Sequence, residues 1–187
     1  MTRTDKVYSM VMTALITGLI LLATATFRIP SPFTQGYVHL GDTIIFLGVL
    51  VLGKKNGTAA AGLGSALADV MAGYAIYAPW TLIIKGLMAL VMAVFIENAG
   101  KKGKNHVKLG GIPLIELLGM ILGGLVMVAG YSIVDGVFAG NMASGLLGVP
   151  ANIGQFAVGM ILAGALAAAL YKTPAKRYFA YRLDEIK

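Results

Sequence analysis

The sequence contains no cysteine, which excludes disulfides, thiolate nucleophiles and cysteine-ligated metals in one step. Its two histidines are His39 and His106, the latter inside a lysine-rich stretch. There is no His-Glu-x-x-His zinc pair, no Gly-x-Ser-x-Gly elbow and no Gly-x-x-x-x-Gly-Lys-Ser/Thr phosphate loop. Metal hydrolysis, nucleophile-elbow chemistry and a nucleotide site of its own are thus not written in the chain. Charge is scarce too: 12% of the 187 residues are charged, and the 8 acidic residues are outnumbered by 15 basic ones. Aromatic residues make up 9%.

What fills the chain instead is apolar. Hydrophobic residues reach 58%, and the mean hydropathy is +0.82, far outside the balance of soluble domains. Twenty-five glycines accompany them, as expected where helices in lipid associate by close packing of small residues. The apolar runs predict an all-α integral membrane bundle of six transmembrane helices in a single domain over residues 1–187. The helices fall at about residues 8–27, 40–52, 58–72, 80–97, 113–134 and 151–171. The first run, flanked by Arg3 and Lys6 and ending near Ala23-Thr24-Ala25, also has the outline of a secretory signal. Because apolar runs continue after it, it is read as the first span. Lys54-Lys55-Asn56-Gly57 is read as a tight basic turn between the second and third helices.

Six spans put both termini on one side. Of the 15 Lys and Arg residues, all but Arg28 and Lys85 then fall on that side, which makes both termini cytoplasmic. The basic excess sets orientation and meets anionic lipid, so nucleic acid is not an expected partner. The basic tail, residues 172–187, is expected on the membrane surface.

With this topology the polar residues converge on the outer half. His39 and Asp42 open the second helix, Asp69 closes the third, Lys85 enters the fourth, Asp135 closes the fifth, and Asn152 and Gln155 open the sixth. Tyr74, Tyr77, Trp80 and Tyr131 lie at a similar level. Ionisable groups at such depth cost several kcal/mol unless they are paired or face a polar cavity. Together with aromatic faces they make a candidate small-molecule site. Plainer readings stand beside this one: Asp42 complementing a helix dipole, Asp69 and Lys85 as a structural ion pair, the aromatics as an interfacial belt. Glu97 and Glu116 are placed at the cytoplasmic interface near lysines. Ala14 and Gly18 form a small-residue notch on the first helix, suited to packing inside the bundle or to docking another membrane subunit. No residue is assigned a catalytic or metal-binding role, and no cofactor is called for.

His39-Leu40-Gly41-Asp42, then Gly53-Lys54-Lys55-Asn56-Gly57, Gly64-Ser65-Ala66-Leu67-Ala68-Asp69, and Ala78-Pro79-Trp80 through Lys85-Gly86 resemble the substrate-binding S components of energy-coupling factor (ECF) vitamin transporters. The likeness is to the group labelled riboflavin-type, which includes pyridoxine and hydroxymethylpyrimidine transporters. It implies a multi-pass protein of a prokaryotic cell membrane that captures a vitamin from outside and is not an enzyme. It also implies delivery by docking on a transmembrane T component with two ABC-type ATPases. Pyridoxine or hydroxymethylpyrimidine is favoured as substrate, with riboflavin or another vitamin as the alternative. The family's helix 1 docking motif, Ala-x-x-x-Ala, reads Ala14-Leu15-Ile16-Thr17-Gly18 here, and residues 28–38 would be the lid. A solitary proton-coupled transporter and an intramembrane hydrolase are the competing classes.

Overall fold

The computed structural model describes residues 3–31, 36–101 and 107–181. The chain is mostly helical, and five helices are long and apolar enough to cross a membrane. In order they are α1 (Arg3–Thr26), α2 (Gly41–Met71), α3 (Ala78–Gly100), α4 (Leu114–Phe138) and α6 (Val149–Tyr171), with a short α5 (Met142–Gly145) before the last. Two small antiparallel hairpins interrupt them, β1 (Arg28–Pro30) with β2 (Tyr37–His39) and β3 (Lys108–Leu109) with β4 (Ile112–Pro113).

The expected second and third helices are the two arms of α2, joined at a sharp break, and the expected turn Lys54–Gly57 is helical. The break falls one residue earlier, at Gly53, whose φ of 73° and ψ of −172° suit a residue without a Cβ. The two arms of α2 fold back on each other there. A Cβ at Gly57 would lie only 3.0 Å from Val49 Cα, whereas a straight helix sets residues that far apart in sequence about 12 Å apart along its axis. Both ends of α2 therefore reach the same end of the bundle.

Small residues set the helix spacing. Gly64 of α2 sits against the Thr17 carbonyl of α1, Gly62 against the Leu82 carbonyl of α3, and Gly123 of α4 against the Met88 carbonyl of α3. The core between them holds Phe46, Val49, Leu50, Met88, Met92 and Met120, each fully buried. Val7, Met10, Val11, Leu15, Leu19 and Leu22 stay exposed along α1, as expected when the surrounding solvent is lipid. α1 is nevertheless part of the bundle, since Ile16 and Ile20 are buried.

The end of the bundle opposite the β1–β2 hairpin holds two differences from expectation. The tail does not simply lie on a surface: Phe179 is buried against Tyr171, and the Ala180 amide donates to the Leu50 carbonyl at 2.8 Å. That carbonyl would otherwise lose its partner at the Gly53 break. Glu97 does meet a lysine, Lys54, at 2.6 Å. Glu116, expected at an interface among lysines, is instead fully buried and accepts from the Tyr171 hydroxyl at 2.6 Å, because α6 packs over the start of α4. Lys102, Lys104, His106 and the tail beyond Tyr181 lie outside the described residues, as does Pro32 of the expected lid.

Candidate small-molecule site

At the hairpin end, the two termini of α2 meet the start of α3, the end of α4 and the start of α6. The polar residues between them are organised from the inside outwards. Lys85 of α3 and Asp42 of α2 are both fully buried, and Lys85 Nζ donates to Asp42 Oδ1 at 2.5 Å. The other carboxylate oxygen accepts from Gln155 Nε2 at 2.9 Å, and Gln155 Oε1 accepts the His39 backbone amide at 3.0 Å. One side chain of α6 thus joins the start of α2 to β2. Gly159, one turn along α6, allows this approach: a Cβ there would come within 2.9 Å of Asp42 Cβ.

His39 completes this floor. Its Nδ1 accepts from the Gly41 amide at 3.0 Å, which leaves Nε2 as the protonated nitrogen of a neutral ring. Burial, aided by the Lys85 charge and only partly opposed by Asp42, pushes its pKa down to about 3. The ring therefore stays a neutral donor.

Above the floor, two tyrosine–aspartate pairs line a cleft. Tyr37 of β2 donates to Asp69 Oδ1 and Tyr77, just before α3, donates to Asp135 Oδ1, each at 2.7 Å. Burial first, and the neighbouring carboxylate second, raise both phenol pKa values well above the usual range, so both remain donors. Thr81 and Tyr131 share a hydrogen bond of 3.0 Å on the α3–α4 wall. The cleft, bounded also by Ser31, Gly36, Val38, Gly148, Ala151 and Asn152, encloses about 490 Å³ counting its open mouth. The β1–β2 hairpin, in the register Ile29 opposite Val38, forms its edge.

Seven residues singled out in the sequence line this cleft: His39, Asp69, Tyr77, Tyr131, Asp135, Asn152 and Gln155. Asp42 and Lys85 lie beneath it as the buried pair. The plainer reading of Asp69 and Lys85 as an ion pair does not hold: the helical hairpin presents Asp42 to the lysine, and Asp69 accepts from Tyr37. Tyr74 is outside the lining and packs on the Tyr37 ring at 4.7 Å. Trp80 is not brought to the site; it is 45% exposed on the outer face of α3. Ala14 is exposed on α1, and a Cβ at Gly18 would touch nothing within 4 Å, so the notch is open.

The sequence reading missed Tyr37 and Thr81. No sequence pattern marked Tyr37, because β2 is only three residues long; once the strand is known, the two-residue offset from His39 puts both on one face. Thr81 lies four residues before Lys85, hence on the same helix face.

Residues 4–172 match the family described as ECF-type riboflavin transporter, S component. The sequence is 30% identical over 161 residues to the thiamine precursor transporter HmpT of Lactococcus lactis subsp. cremoris (strain MG1363), covering 86% of each chain. An uncharacterised Pyrococcus woesei protein is 40% identical over 110 residues, which span 59% of this chain and 66% of that one. In fold, the S component for biotin from an ECF-type ABC transporter superposes with a TM-score of 0.74 at 20% identity, over 96% of this chain and 99% of the other. The S component of a bacterial ECF transporter does so with a TM-score of 0.64 at 15% identity, over 89% and 97%.

Proposed function

Since the chain belongs to the family of S components of ECF-type transporters, a transporter subunit rather than an enzyme, we propose that it captures a small B-vitamin or vitamin precursor, hydroxymethylpyrimidine or pyridoxine, from outside a prokaryotic cell. The cleft beside the β1–β2 hairpin is the capture site, and the hairpin is its lid. In this reading the two arms of α2 cross the membrane separately. The chain then makes six passes with both termini in the cytoplasm, in keeping with the distribution of Lys and Arg.

The single observation that carries the reading is the two-layer arrangement of the cleft. A saturated network of Asp42, Lys85, Gln155 and His39 forms a fixed floor, and the hydroxyls, carboxylates and amide of the walls converge on one space. The name of the Lactococcus relative, a thiamine precursor transporter, favours a vitamin precursor as the substrate.

Release inside follows docking on a T component with two ABC-type ATPases, for which the open Ala14–Gly18 notch is the proposed contact. Mass spectrometry of the small molecule that copurifies with the protein tests the substrate. Recovery of a single-ring vitamin or precursor supports the reading, and a ligand of another class overturns it. Uptake by the chain alone, driven by a pH gradient, would instead make it a solitary secondary transporter.

A further inference from the structure

α1 and α6 flank the first arm of α2: Ile16 and Thr24 of α1 crowd Gly48 and Gly41, and Gly159 of α6 closes on Asp42. Toward the hairpin end a groove runs between the end of α1 and the start of α6, with the β1–β2 hairpin at its head. It holds about 1090 Å³ counting its open mouth, and Phe27, Ile29, Val38, Leu40, Gly154 and Val158 make its lining mostly apolar. Phe27, Ile29 and Val158 are exposed there. A Cβ on Gly154 would meet none of the described residues within 4 Å, so the chain does not fill the groove itself. An apolar recess left empty forfeits dispersion contacts along its whole lining, and in a bilayer the group at hand to restore them is an acyl chain.

Charge at the rim narrows the occupant further. Among the described residues, Arg28 and Lys85 are the basic side chains at this end of the bundle, and Lys85 is committed to Asp42. Arg28 lines the groove, and its Nη1 donates to the Ala72 carbonyl at 3.4 Å in an exposed position. So long a hydrogen bond to a neutral carbonyl is readily exchanged for a phosphate, whose oxygens match the fork of guanidinium donors. The groove also shares a wall with the cleft. Val38, His39, Ala151 and Gln155 line both, and the His39 amide, donating to Gln155 Oε1 at 3.0 Å, ties β2 to α6 within that wall.

We infer that the groove is a phospholipid site, with an acyl chain between α1 and α6 and the phosphate on Arg28, and that the bound lipid braces the wall shared with the cleft. What packs in the groove packs on the back of that wall and holds β2 against α6. Arg28 favours a phosphate-bearing lipid over an apolar segment of a partner protein, which would fit the walls without needing the cation. On the proposed topology the lipid comes from the outer leaflet. The site itself does not depend on that reading.

The experiment uses the purified full chain in a steroid-based detergent that carries no acyl chain, with phosphatidylglycerol bearing a diazirine in one acyl chain, or the matching diacylglycerol, which lacks the phosphate. After irradiation, label from the phospholipid should concentrate on residues 26–29 and 151–158 rather than on Ile83 of α3 and Leu125 of α4, which are equally exposed to lipid. Diacylglycerol should label the groove about tenfold less, the scale of one charge-assisted hydrogen bond, and Arg28→Gln should remove that difference. Gly154→Leu, which fills the groove, should cut its labelling by both probes and leave Ile83 and Leu125 as before. The wild-type comparison of the two probes does not depend on either variant folding. Even labelling of all lipid-facing helices, or equal labelling of the groove by the two probes, overturns the site. Bracing is read by hydrogen exchange: adding phosphatidylglycerol should slow exchange in residues 37–40 about fivefold or more, the scale of a modest coupling, and should not do so in Gly154→Leu. A labelled groove with unchanged exchange overturns the bracing. None of these readouts uses a vitamin, so their failure is separate from failure of the capture reading.

Discussion

Lys85 Nζ lies 2.5 Å from Asp42 Oδ1, and neither side chain is exposed to solvent. The pair ties α3 to the start of α2 directly beneath the cleft. It also explains why the lysine is not available to a ligand. Removing one member leaves the other charged and buried, which is the costly case. Removing both is far cheaper.

Lys85→Met is therefore expected to destabilise the protein by about 3–5 kcal/mol. Asp42→Asn combined with Lys85→Met should recover most of that loss, because Gln155 Nε2 can still donate to the amide oxygen. Thermal unfolding in detergent of the single and double variants checks this, and a double variant no more stable than Lys85→Met would contradict it.

The approach of α6 to α2 depends on Gly159. Its Cβ would lie 2.9 Å from Asp42 Cβ and 3.2 Å from the Asp42 carbonyl carbon, whereas a Cβ at Gly154 would touch nothing within 4 Å. Gly159→Ala should cost about 1–3 kcal/mol through overpacking and weaken ligand binding by shifting Gln155. Gly154→Ala should leave both unchanged, as melting and ligand titration of the pair will show.

His39 makes a pH dependence of known sign. Its folded pKa is about 3 against 6.5 for a free imidazole. Below pH 6.5 the unfolded chain takes up a proton that the folded chain refuses, so its contribution lowers stability as pH falls from 6.5 towards 3. The slope approaches about 1.4 kcal/mol per pH unit, and above pH 6.5 the contribution vanishes. His39→Asn, whose oxygen can still accept from the Gly41 amide, should flatten the loss between pH 6.5 and about 4.5. Chemical unfolding of both proteins over that range provides the comparison.

The α1 notch separates binding from delivery. Ala14→Trp and Gly18→Leu are expected to leave ligand affinity and melting temperature unchanged, because neither position packs against the rest of the chain. On the proposed reading, uptake in cells that also express the T component and ATPases should fall to background. Normal uptake by both variants would place docking elsewhere.

Much of this was written in the sequence, for a physical reason. Apolar runs long enough to cross a bilayer declare themselves by length alone. A charge buried in such a run must find company, so the list His39, Asp42, Asp69, Lys85, Asp135 and Gln155 could be drawn before any contact was known. The glycine-rich faces of α2 and α4 announced close packing in the same way.

Tertiary structure decided who partners whom. The sequence could not tell whether Lys85 faced Asp42 or Asp69, since both lie on α2 and only the fold-back at Gly53 chooses between them. Nor could it show that Trp80 faces outward, because an interfacial aromatic and a cleft aromatic have the same composition and depth. Tyr37 entered the site through a strand pairing too short to leave a pattern, and Glu116 was buried by Tyr171 from the other end of the chain. One-dimensional patterning fixes how deep a residue lies and which face of its element it occupies. The pairing of charges across the cleft depends on rotations between helices, and these are set by contacts between residues far apart in sequence.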